Sequence, residues 1–188
     1  MRRMPLVIVG LALCACVLSA QAPAPAAAPA ANPLVAEARQ AYARVADVLL
    51  RMAEKMPEDQ YGFQPVPEIR TFAGTLGHTI DMQMRTCASV TGSGAQVGAS
   101  SMKGKAELVA AMKTAMAECD KAFASLTDES AVQMTTSGRG GQRSKLGTLW
   151  GMVAHDNEEY GYLAVHLRLK GIVPPSSEGG GMRGRGGQ

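Results

Sequence analysis

Thr71-Phe72-Ala73-Gly74-Thr75-Leu76-Gly77-His78-Thr79-Ile80-Asp81-Met82-Gln83-Met84-Arg85-Thr86-Cys87-Ala88-Ser89-Val90 is the stretch on which the fold turns. Phe72, Leu76, Ile80, Gln83, Cys87 and Val90 recur three or four residues apart, which gathers them into one stripe of an α-helix. Thr71 stands where a hydroxyl can accept from a first-turn N–H and start that helix. A Gly/Ser-rich loop from about Gly92 to Gly104 ends it.

The same period appears on both sides. Upstream, residues 33–56 contain no glycine and no proline after Pro33, and Leu34, Ala38, Ala41, Val45, Val48, Leu49 and Met52 form an apolar line. Pro33 suits a first helical turn. Pro57 stops the helix, and Pro65 and Pro67 make the passage from Glu58 to Arg70 an extended connection. Downstream, a third helix is expected from about Lys105 to Ser125 on Leu108, Met112, Ala115, Cys119, Ala122 and Phe123. The polar segment from Thr127 to Arg143, with Gly138-Arg139-Gly140-Gly141, reads as a long mobile connection. Ser144 then caps a fourth helix, with Leu146, Leu149, Trp150, Val153, Tyr160, Ala164 and Leu167 inward, which Gly171 stops. Four long helices and no strand pattern predict an all-α, four-helix bundle over residues 33–172.

Composition agrees with that class. Hydrophobic residues make up 46% of the 188 and aromatics only 4%, with twelve methionines, so the core rests on flexible aliphatic side chains that favour helices. The formal charge of +3 includes Arg2 and Arg3. Without those two the balance is close to neutral, which excludes a nucleic-acid footprint.

Arg2 and Arg3, the apolar run from Pro5 to Leu18 and the small residues Ser19-Ala20 have the order of a signal peptide spanning residues 1–20, so the chain is expected to be exported, periplasmic or secreted. The run is shorter than the roughly twenty residues that a membrane span needs. Leu13-Cys14-Ala15-Cys16 supports a second processing route, with a lipid anchor on Cys16. Residues 21–32 are an Ala/Pro-rich tether, and residues 173–188 form a Gly-rich tail expected to be disordered. Cys87 and Cys119 remain after the leader; an oxidising compartment permits a disulfide between them, and the alternative is two small buried thiols.

Three histidines exist, His78, His155 and His166. His155 and Glu159 are four apart and share a helical face, whereas His166 falls ~16 Å further along and cannot join them at one ion. Two imidazoles and a carboxylate from His78, His155 and Glu159 suit a divalent cation such as zinc, nickel or iron, with one position left open for water or substrate. Asp81 and Tyr162 are the candidate supporting residues, Asp81 behind His78 and Tyr162 toward a metal-bound water. Periodicity alone, at about 100° per residue, puts His78 and His155 opposite the apolar stripes and so in solvent. A site requires these second faces to meet in a groove, flanked by Met82, Met152 and Leu163. Serine-hydrolase, phosphate-loop, paired-cysteine zinc and dinucleotide motifs are absent from this portion.

Lys55-Met56-Pro57-Glu58-Asp59-Gln60-Tyr61-Gly62-Phe63-Gln64-Pro65-Val66-Pro67-Glu68-Ile69-Arg70-Thr71-Phe72-Ala73-Gly74-Thr75-Leu76-Gly77-His78 resembles the passage between the first two helices of DinB-like proteins. Ala154-His155-Asp156-Asn157-Glu158-Glu159-Tyr160-Gly161-Tyr162-Leu163 is similar to their fourth-helix motif. The resemblance covers about residues 34–172 and implies a metal-binding bundle in which His78 is the first ligand and His155 the second. Where the family pattern has a further histidine, this chain has Glu159. Relatives in the superfamily include metal-dependent transferases that use small bacterial thiols, and a thiol-dependent isomerase. Export separates this chain from cytosolic thiols. The resemblance therefore implies the bundle and the site geometry, while the signal peptide argues against the same chemistry; the first expectation is an exported metal-dependent hydrolase or transferase acting on an unknown small molecule. The competing expectation is a non-catalytic bundle with a degenerate site, whose surfaces recognise a partner or form a homodimer.

Overall fold

The computed structural model describes residues 33–136 and 141–178. The leader, the 21–32 tether, Cys16 and the end of the Gly-rich tail lie outside the described residues. Within them, α1 (Pro33–Lys55), α2 (Phe72–Thr91), α3 (Lys105–Ala124) and α5 (Lys145–Leu169) build a helical bundle, and α4 (Asp128–Ala131) is a single turn. Helix α1 packs on α3 and α5, and so does α2, so that α1 and α2 lie across the diagonal of the bundle. The proline-bearing connection from 56 to 71 makes this possible, because it is long enough to cross the end of the bundle. Its path is fixed by Tyr61, which is buried and donates its hydroxyl to the Ala53 carbonyl at 2.6 Å.

The starts and stops expected from sequence are present as hydrogen bonds. The Thr71 hydroxyl accepts from the Gly74 N–H, and the Ser144 hydroxyl from the Gly147 N–H, both at 3.0 Å. Gly92 closes α2 in the left-handed region at φ 77°, a conformation that a side chain would resist. The stripes of α2 and α3 are buried throughout. Few aromatics are available, and two pairs of them lie in the core. Tyr42 stacks on Phe123 with centroids 4.7 Å apart, and Tyr61 meets Phe72 edge-on at 5.1 Å. The Cys87 and Cys119 sulfurs lie at bonding distance, 1.99 Å, and tie α2 to α3.

Gly77 lets a loop approach α2 closely. A Cβ there would lie 2.6 Å from the Ala99 carbonyl oxygen, so only glycine lets the turn at Ala99–Ser101 lie against α2. One turn further on, Asp81 accepts from the Ala99 N–H at 2.7 Å and the Ser100 N–H at 2.9 Å. Together they dock the Gly/Ser loop onto the helix that carries His78.

Three expectations change. Trp150 and Leu34 face solvent, at 50% and 57% exposure, because each sits about 100° round its helix from the residues that meet a neighbour. The 127–143 connection is partly ordered: Thr127 caps α4, and β1 (Met134–Thr136) pairs antiparallel with β2 (Gln142–Ser144), Thr135 opposite Arg143. Order also continues past residue 172. Pro175 is buried, Lys55 donates to the Val173 carbonyl at 2.8 Å, and the Glu178 carboxylate bridges Arg51 and Lys55 on α1. Among the described residues no helix is long and apolar enough to cross a membrane.

Candidate metal centre

A bundle helix touches two neighbours, so it has two faces to cover. Helix α2 turns its apolar stripe to the core and α3, and an adjoining face meets α5. His78 lies on that second face. His155 and Glu159 occupy the facing side of α5, one turn apart. The side chains of His78 and His155 are only 31% and 22% exposed, and Glu159 is buried.

The three donors converge. His78 Nε2 lies 3.2 Å from His155 Nε2, 3.6 Å from Glu159 Oε1, and His155 Nε2 is 3.5 Å from the same oxygen. A tetrahedral ion with bonds of about 2.0–2.1 Å separates its ligands by about 3.4 Å, so these spacings suit a zinc-sized cation and are tight for calcium, whose bonds run about 2.3–2.6 Å. Among the described residues this is the group of three imidazoles and carboxylates close enough to share one ion. Two neutral imidazoles and one carboxylate form a borderline donor set, suited to zinc, nickel or iron.

Burial and neighbouring charges oppose one another within the site. Burial pushes the Glu159 carboxyl above its usual value, against the pull of His155 and Arg70. Burial does the same to Asp156, opposed by its contacts with His155 and Gln83. His78 is held below the ordinary histidine value, first by burial and then by the positive charges of Arg70 and His155. His155 moves the other way, chiefly through the neighbouring Asp156 carboxylate, with burial opposing.

Asp156 and Gln83 belong to the site and are absent from the sequence-based candidates. Asp156 is fully buried, and its Oδ2 accepts from Gln83 Nε2 at 2.9 Å, across from α5 to α2. Its Oδ1 faces His155 Nδ1 at 3.8 Å. One signal could have found the pair: Gln83 is a polar residue in the middle of an otherwise apolar stripe, and a buried amide needs a partner.

The other candidates separate. Asp81 is committed to the Ala99–Ser101 turn, so it holds the loop beside α2 and does not bond His78. Its carboxyl lies below the usual range: burial raises it, and hydrogen bonds from Ser100 and Ala99 outweigh that effect. Tyr162 is 45% exposed and lines an open cleft of about 530 Å³ with Arg70, Thr75, His155, Glu158 and Glu159. His166, which spacing excludes from the ion, is buried and has both ring nitrogens engaged, one with the Tyr162 carbonyl at 2.9 Å and the other with the Arg70 carbonyl at 3.0 Å. It fastens the start of α2 to α5. Arg70, in turn, places Nη1 3.9 Å from Glu159 Oε1 at the mouth of the site.

Comparison with known proteins agrees with this architecture. No curated protein matches the chain. A DinB-like protein from Bacillus cereus ATCC 10987 has the same fold, with a TM-score of 0.64 over 73% of this chain and 93% of its own, at 14% identity. The family model of the DinB superfamily matches residues 41–163, most of the chain and nearly all of the bundle, including both histidines and Glu159. The chain belongs to the DinB superfamily.

Proposed function

We propose that this protein is an exported, single-cation metalloprotein that holds one divalent ion through His78, His155 and Glu159, and that it acts as a hydrolase or transferase on a small molecule. The observation that carries this reading is the convergence of three donors from two helices, all within 4.8 Å of one another. A bound cation would act as a Lewis acid and lower the pKa of a coordinated water or substrate group. Glu159 supplies the negative charge that keeps the cation, and the two imidazoles supply neutral donors. The open side of the triad faces the cleft, where Arg70 and Tyr162 can meet the substrate. Export is supported by the leader-like N-terminus together with the Cys87–Cys119 pairing, which needs an oxidising compartment.

Equilibrating metal-depleted protein with zinc, followed by elemental analysis, tests the reading. About one equivalent is expected in the wild type and less than about a tenth in His155→Ala, because two remaining protein ligands fall short of the three that an open site uses. A wild type that retains less than a tenth would overturn it.

A second reading has its own observation. Arg70 lies close enough to Glu159 to neutralise it without any metal. The triad would then be a structural charge cluster in a non-catalytic bundle, and wild type and His155→Ala would be equally metal-free.

A further inference from the structure

Asp156 is fully buried and takes no part in the triad. Its Oδ2 is committed to Gln83 Nε2 at 2.9 Å. Its Oδ1 has no hydrogen-bond partner, and neither does His155 Nδ1, although both are buried and only 3.8 Å apart. Rotation of an imidazole about χ2 is soft, so a small turn of the ring closes that gap. A merely structural link between α2 and α5 would not need a carboxylate. An asparagine could accept the same bond from Gln83 at a much smaller desolvation cost. The second carboxylate oxygen lies 3.8 Å from Nδ1 of the imidazole of a proposed ligand, and neither atom has a hydrogen-bond partner.

We propose that Asp156, held by Gln83, is the positioning residue that fixes His155 with its proton on Nδ1, so that the bare Nε2 lone pair points to the space shared with His78 and Glu159. The cation-binding reading is the reason this orientation matters, but the orientation itself is a property of the metal-free protein. A histidine ligand whose second nitrogen is held by a carboxylate keeps one tautomer and one ring position, and becomes the more basic donor.

Long-range ¹H–¹⁵N NMR of the metal-free, full-length mature chain reads the tautomer directly. In wild type His155 is expected to carry its proton on Nδ1, and in Asp156→Leu to show a mixture of tautomers. The double variant Gln83→Met/Asp156→Leu replaces both members of the buried pair by apolar groups, so it leaves no orphaned amide in the core, and it is expected to show the same mixture. A wild-type His155 protonated on Nε2, or a tautomer unchanged by the double variant, would overturn the proposal. Zinc titration adds a separate arm. Affinity is expected to fall about 10- to 100-fold in the double variant, and equal affinity in wild type and double variant would also overturn the positioning role. Should wild type bind no zinc, the cation-binding reading fails while the tautomer still decides the role of Asp156.

Discussion

At the scale of single residues, Glu118 shows how a buried charge is held by the donors around it. Glu118 is buried by neighbouring side chains, yet its carboxyl is held down to about 2, first by the Thr91 and Ser93 hydroxyls, at 2.5 and 2.7 Å, and then by Lys121. It thereby pins the loop that follows α2 to α3. A carboxyl whose folded value lies below its ordinary 4.5 stabilises the protein fully above about pH 5, and that contribution fades as pH falls toward 2. Glu118→Gln is therefore expected to lower stability at neutral pH and to flatten the acid limb between about pH 5 and 2. Urea unfolding at a series of pH values reads both effects, and parallel curves for the two proteins would contradict them. His166 shows a different use of a polar group. Its nitrogens serve two carbonyls, from Arg70 and Tyr162, so the third histidine maintains the frame that carries the other two.

At the scale of elements, the docking of the 99–101 turn on α2 is the tightest joint. A methyl group at Gly77 would meet the Ala99 carbonyl oxygen at 2.6 Å, and the backbone on both sides is held by Asp81. Gly77→Ala is expected to destabilise by about 1–3 kcal/mol through overpacking, despite the better helix propensity of alanine. Thermal or urea unfolding measures it, and a stabilised variant would show that the turn yields without cost. The Leu76-Gly77-His78 triplet acquires a reason from this joint: the leucine fills the core, the glycine admits the loop and the histidine faces α5. Helix periods and caps were legible in the sequence because they depend on neighbours three and four residues away. Trp150 was misplaced because a period assigns a stripe but not its width. The hairpin 134–136/142–144 was not legible, since two strands of three residues leave almost no alternation to read.

At the scale of the molecule, α2 and α3 are joined through residues 32 apart in sequence, Cys87 and Cys119. Closing a loop of that length restricts the unfolded chain by about 3–4 kcal/mol in the chain-entropy account. Unfolding in the presence of a strong reductant should therefore begin roughly 10 °C lower than without it. Calorimetry of oxidised and reduced protein checks this, and equal midpoints would mean that the bond contributes nothing. The all-helical class, the four long helices with their caps at Thr71 and Ser144, and the shortlist His78, His155 and Glu159 can all be read along the chain. Each of these follows from local spacing, or from motif resemblance along the chain. Helix packing set the diagonal placement of α1 and α2 and brought the second faces of α2 and α5 together. It also decided that Asp156 and Gln83 stand behind His155 while Asp81 serves a loop. Those facts depend on which helices become neighbours and at what height they cross, and a helical period carries no information about the partner that covers each face.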